Sequence, residues 1–153
     1  MKQNLIKYSH GVGRLYAHVR FKTKYCCKVF EKEPAFRDEC EKLFYAIAKQ
    51  HNIDIGIPGF DDNHMHMIID IGIKSIPEIK KIFKGTSARK LFQKFPAIKR
   101  KYFWSGRGLW SRSIYFYGIG RDKITMEKYV AKQKFAKKIS NDKYQRTLFS
   151  DFN

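Results

Sequence analysis

Two histidines one residue apart, His64-Met65-His66, lie in an apolar run of the chain. Neutral imidazole is the commonest side-chain ligand of divalent transition metals. Residues i and i+2 of a strand point to the same side, so one strand can offer two ring nitrogens to a single ion. The same spacing also suits two partly buried histidines satisfied by hydrogen bonds. Asp61, Asp62 and His18 are the candidates to complete a site. Imidazole combined with carboxylate or amide oxygen suits Mg²⁺, Mn²⁺ or a similar ion, not soft thiolate chemistry.

A second pair is Tyr129 and Gln133, four residues apart and therefore on one face of a helix. A tyrosine hydroxyl is a weak nucleophile at neutral pH, with a pKa near ~10. Beside a metal-polarised phosphate it can attack and form a covalent phosphotyrosine, and Gln133 can lend its side-chain oxygen to the same ion. The competing reading is a tyrosine packed on its neighbours, one of nine in the chain. A third constellation runs from Lys74 to Arg112. There Lys84, Arg89, Lys90, Arg107 and Arg112 are interleaved with Phe92, Phe95, Tyr102, Phe103, Trp104 and Trp110. Basic side chains track phosphates, and unpaired bases stack on aromatic faces.

Composition agrees with that last reading. The 153 residues carry 32 Lys and Arg against 14 acidic groups, a net charge of +18, which favours a polyanionic partner such as nucleic acid. Hydrophobic content of 43% and aromatic content of 16% predict one folded domain over 1–153 rather than disorder. Cys26, Cys27 and Cys40 are odd in number and form no CxxC pair, so neither a disulfide framework nor a zinc knuckle is expected. The N-terminus lacks a signal-peptide core, and no apolar run is long enough to span a bilayer. A cytoplasmic chain is expected.

These residues need elements to position them. Residues 14–22 alternate, with Leu15, Ala17, Val19 and Phe21 on one side. Arg14, Tyr16, His18, Arg20 and Lys22 lie on the other, as in a half-buried strand with an open basic face. After Pro34, the stripe Phe36, Cys40, Leu43, Phe44, Ile47 and Ala48 predicts a helix to about Asn52. Ile53–Ile57 reads as a strand, Pro58-Gly59 and 61–63 as a turn, and His64–Ile71 as its hairpin partner. Ser75 and Glu78 form a capping box for a helix that Gly85 can bend and Phe95-Pro96 stops. Ile114–Ile119 reads as a fourth strand. A last helix runs from Thr125 to about Ile139, and residues 140–153 form a polar tail. Strand, helix, strand, strand, helix, strand is the α+β order of a ferredoxin-like βαββαβ antiparallel sheet. The additional C-terminal helix carries the tyrosine.

Taken together, these pieces resemble the HUH-type single-tyrosine transposases of bacterial and archaeal insertion sequences. The likeness rests on His18 with Lys24-Tyr25, on Asn63-His64-Met65-His66, and on the stretch Lys84-Gly85-Thr86-Ser87-Ala88-Arg89-Lys90-Leu91-Phe92 through Phe95-Pro96. It continues through Leu109-Trp110-Ser111 to Tyr129 followed by Gln133, nearly the whole chain. The resemblance implies that His64 and His66 are metal ligands with Gln133 as the third, and that the ion is Mg²⁺ or Mn²⁺. It implies that Tyr129 forms a 5′-phosphotyrosine and leaves a free 3′-hydroxyl. The substrate would be single-stranded DNA with hairpin ends, held near Lys84–Lys90 by a homodimer. Asn63 stands where an aspartate is common in the family, and Cys26 where a basic residue is expected. A relaxase-like or replication-initiator nicking enzyme, and a non-catalytic single-strand-binding module of the same fold, are the other readings.

Overall fold

The computed structural model describes residues 6–104 and 108–119, together with Lys128, Val130 and Lys132. Its centre is β3 (Tyr16–Lys22), paired antiparallel with β5 (His64–Asp70) on one side and β6 (Tyr115–Gly118) on the other. With β4 (Gly59–Phe60) outside β5, the four strands are ordered β4-β5-β3-β6. Ala17, Val19 and Phe21 of β3 and Met65, Met67 and Ile69 of β5 bury one face. The helices α2 (Pro34–Gln50) and α3 (Ile76–Lys94) cover it. Phe44 of α2 meets the edge of Phe21 at 5.4 Å and stacks on Phe83 of α3 at 5.2 Å. The result is an α+β architecture with its helices on one side of an antiparallel sheet.

The helix signals acted as the sequence predicts. Pro34 lies in the first turn of α2, and Phe36, Cys40, Phe44, Ile47 and Ala48 are its buried stripe. At the start of α3 the Ser75 hydroxyl accepts from the Glu78 N–H (3.3 Å), while the Glu78 carboxylate accepts from the Ser75 N–H (2.6 Å). The helix runs unbroken through Gly85. Pro96 marks its end but also starts another helix, α4 (Pro96–Tyr102). A proline in the first turn gives up an N–H that has no intrahelical partner anyway, so one residue stops α3 and opens α4.

Three features depart from expectation. Residues 6–13 form a hairpin of β1 (Ile6–Tyr8) and β2 (Gly11–Gly13). Gly72, at φ +54°, lies where any Cβ would strike the Tyr8 hydroxyl, so this hairpin seats against the turn after β5. A four-residue helix, α1 (Val29–Lys32), precedes α2. The strand expected over 53–57 is reduced to an isolated bridge, Ile55 to Ile69, and the ladder resumes at Gly59, where a turn was expected. Between the two the register slips by one residue, a bulge at the position of Pro58, which has no N–H to give the ladder.

The last helix and the 140–153 tail lie outside the described residues, except that Lys128 and Val130 have helical backbone. Val130, only 5% exposed, packs with Tyr16 and Ile68 on the sheet face opposite α2 and α3. That face of β3 is therefore not open as the alternation implied: Tyr16 and His18 are both buried. Periodicity reveals which side a residue takes, not what lies over it.

Candidate functional site

His64 and His66 emerge on the face that Val130 shares, because each is two residues from the next outward position of β5. Their rings meet edge to face at 4.8 Å. Across the ladder, Lys22 opposes His64 and Arg20 opposes His66. Arg20 in turn lies 4.5 Å over the ring of Tyr115 on β6. Each histidine has a further partner. Asn63 Oδ1 is 2.7 Å from His64 Nδ1, and His18 Nε2 is 2.8 Å from His66 Nδ1. The His18 and His66 rings stack parallel at 4.9 Å.

All three imidazoles are held neutral at physiological pH. Burial is the main cause in each. Arg20 adds to it at His18, while at His64 the nearby Asp61 carboxylate works against it. For His66, burial reinforced by His18, His64 and Arg20 lowers the pKa to about 3. Neutral imidazole is the form that can ligate a metal. Asp61 stands 3.8 Å from His64 Nε2, whereas Asp62 is tied into the fold by accepting the Phe30 N–H at its carbonyl. Among the described residues no three His, Cys, Asp or Glu side chains are grouped to hold an ion. Two imidazole donors fit a divalent cation chemically. The third expected donor, Gln133, lies outside the described residues, as do Tyr129 and Arg107.

The loop after β3 braces this corner. Thr23 Oγ1 donates within reach of the carbonyls of Cys27 (2.8 Å) and Asn63 (2.9 Å), and the Asn63 amide reaches the Cys26 carbonyl at 3.4 Å. Tyr25 and Cys26 both take left-handed backbone angles, φ 60° and 51°. Such conformations persist in non-glycine residues where the surroundings over-determine them.

The basic residues divide. Arg89 and Lys90 are exposed on the outer side of α3, and the sheet separates them from the histidines. Arg112 is exposed in the segment leading to β6. Lys84, expected at the DNA, lies inside. Its ammonium donates to the carbonyls of Ser111 (2.6 Å) and Ser113 (2.5 Å) and sits 5.9 Å from the Phe21 ring centre. Nearby, Trp110 Nε1 donates to Ser87 Oγ at 2.8 Å. α3 thus fastens the chain that leads into β6. Arg20 and its contact with Tyr115 escaped the sequence reading, although Arg20 stood in the same alternation as His18.

Lys84→Met keeps much of the aliphatic stem but strands two carbonyls. A buried unsatisfied group costs roughly 1–3 kcal/mol. Ser111 is half-buried and Ser113 is exposed, so water can replace part of the contact. A urea titration should therefore give a loss of about 1 kcal/mol or more, against about 0.5 kcal/mol or less for Arg89→Met. Burial and neighbouring Lys80 lower the Lys84 pKa from 10.5 to about 8. The unfolded chain then binds more protons between these values. Wild-type stability should therefore rise relative to Lys84→Met as pH climbs through that window.

Paired neutral imidazoles on a sheet, in a chain of net charge +18, suit a protein that handles phosphates. Residues 11–133 match the family of IS200-like transposases, and the chain belongs to that family. It is similar to the ISDra2 transposase TnpA of Deinococcus radiodurans, 27% identical over 124 residues that cover 80% of this chain and 86% of that protein. It is also similar to a crystal structure assigned to a transposase from Deinococcus radiodurans R1. That likeness has a TM-score of 0.60 and 25% identity over 84% of this chain and 97% of the other.

Proposed function

We propose that this transposase cuts and rejoins single-stranded DNA at insertion-sequence ends through a 5′-phosphotyrosine on Tyr129. The observation that carries the reading is the shared face. His64 and His66 project from the side of the sheet on which Val130, the residue after Tyr129, is buried against Tyr16 and Ile68. The strand order β4-β5-β3-β6 supports a ferredoxin-like sheet, and the helical backbone of Lys128 and Val130 supports an additional C-terminal helix as the carrier of the tyrosine.

In this reading His64, His66 and Gln133 would hold Mg²⁺ or Mn²⁺. When bound there, such an ion would supply Lewis-acid polarisation of the scissile phosphate and offset the charge that builds on it. The Tyr129 hydroxyl attacks phosphorus, forming the Tyr–O–P bond as the P–O3′ bond breaks. The hydroxyl gives up its proton to solvent as it attacks, the departing 3′-oxygen takes one up, and the 5′-phosphate stays on the protein. Attack by a 3′-hydroxyl on such a phosphotyrosine reverses the exchange and joins strands without an energy source. Arg89, Lys90, Arg107 and Arg112 contact the hairpin DNA. Two subunits hold two cut ends. The outer edge of β6, which pairs with no other strand among the described residues and on which Tyr115, Phe116 and Tyr117 are about half exposed or more, could receive a second copy. No helix among the described residues is long and apolar enough to cross a membrane, and the reaction is assigned to the cytoplasm.

The test uses hairpin-bearing single-stranded DNA from the flanks of the protein's own gene, with Mn²⁺ or Mg²⁺, on a denaturing gel. Label at the 3′ end should move into a protein adduct, and label at the 5′ end should appear in a shortened free strand. EDTA should abolish both. Tight binding with no adduct at any ion concentration would favour a non-catalytic binding module.

A further inference from the structure

We infer that His18 is a positioning residue for the metal site: its Nε2 accepts a hydrogen bond from His66 Nδ1–H and thereby leaves the His66 Nε2 lone pair for the ion. The inference rests on the metal-dependent reading proposed above. His18 and His66 are diagonal neighbours on β3 and β5, both buried, with 2.8 Å between the facing nitrogens and 1° between the ring planes. Of two neutral imidazole nitrogens in contact, one must donate and the other accept. If His18 donated, His66 would accept at Nδ1 and carry its proton on Nε2, leaving no lone pair to coordinate with. Only the opposite arrangement makes His66 a ligand.

The neighbouring histidine has the same design with a different part. Asn63 Oδ1 can only accept, so His64 carries its proton on Nδ1 and keeps Nε2 for coordination. The Asn63 Nδ2 facing the Cys26 carbonyl fixes which end of the amide meets the ring. Asn63 thus imposes on His64 the tautomer that His18, as acceptor, gives to His66. Metal-ligating histidines ordinarily have such a partner on the second nitrogen, and its loss typically weakens metal affinity by about 10–100-fold.

Two substitutions separate this role from packing. His18→Gln keeps an acceptor and loses the ring; His18→Phe keeps a ring and loses the acceptor. Mn²⁺ affinity, read from the electron paramagnetic resonance of free Mn²⁺, should fall about 10–100-fold in His18→Phe and far less in His18→Gln. The reverse ranking, or wild-type affinity in His18→Phe, overturns the inference. Long-range ¹H–¹⁵N spectra of the metal-free wild type need no substitution. They should find His66 protonated at Nδ1, and protonation at Nε2 overturns the inference equally. If the wild type binds no Mn²⁺, or His66→Ala binds it as well as the wild type, the metal reading itself fails.

Discussion

Tyr129→Phe is expected to abolish the covalent DNA adduct and strand joining, by about 10³-fold or more, while hairpin binding stays within about twofold of wild type. The expectation follows from what the hydroxyl does in the proposed reaction. It is the only atom of Tyr129 that forms a bond to phosphorus, and phenylalanine differs from tyrosine by that hydroxyl alone. An interaction made only in the reaction, and not in the ground-state complex, lowers turnover without weakening binding. Gel-shift and denaturing-gel assays on one DNA separate the two quantities. An adduct that survives in Tyr129→Phe would assign the nucleophile elsewhere among the tyrosines. Loss of binding together with the adduct would mean that the side chain grips DNA instead of attacking it.

The largest effect on stability should come from Phe21→Ala, a loss of about 3–5 kcal/mol in denaturant titration. Whole domains are stable by only about 5–15 kcal/mol, so a marginal protein would unfold. Phe21 is fully buried and touches three layers of the structure at once: Phe44 of α2 at 5.4 Å, Phe83 of α3 at 6.1 Å and Trp110 at 5.9 Å. The Lys84 ammonium lies over its ring. In the ladder it opposes Met65, the residue between the two histidines. A cavity here loosens the backbone that holds both imidazoles, so the defect should appear in Mn²⁺ affinity as well as in the melt. Phe21→Leu, which refills most of the volume, should cost much less. A loss below about 1 kcal/mol for Phe21→Ala would mean that the helices do not depend on this contact.

Much of this arrangement was legible because it follows from period. The alternation in 14–22 placed Phe21 inward and His18 outward. The spacing of His64 and His66 put both rings on one face, and the serine–glutamate pair at 75 and 78 located the start of α3. What stayed hidden depends on partners distant in sequence. Lys84 belongs to a run of basic residues that reads as a solvated face, and only the return of Ser111 and Ser113 to α3 makes it a buried tie. The β1–β2 hairpin is weak by local preference, being short and glycine-flanked, and takes its place against Gly72. Pro96 reads as a stop, yet the same residue can begin a helix. The pairing of His18 with His66 spans 48 positions. No pattern within either strand announces it.

The slipped register beside Pro58 decides what stands next to the strand that carries His64 and His66. Continued without the slip from the Ile55–Ile69 bridge, the ladder would set the pyrrolidine ring of Pro58 opposite His66; the extra residue hands that place to Gly59. Opposed Cβ atoms in an antiparallel pair lie about 4.5–5.5 Å apart, so any side chain at 59 would be aimed along the flank of the imidazole. The bulge thus works as a steric allowance: on its outer flank the histidine is bordered by a hydrogen atom. Alanine at 59 would meet the imidazole at the ordinary spacing of an antiparallel pair, and only a longer side chain would crowd the ring.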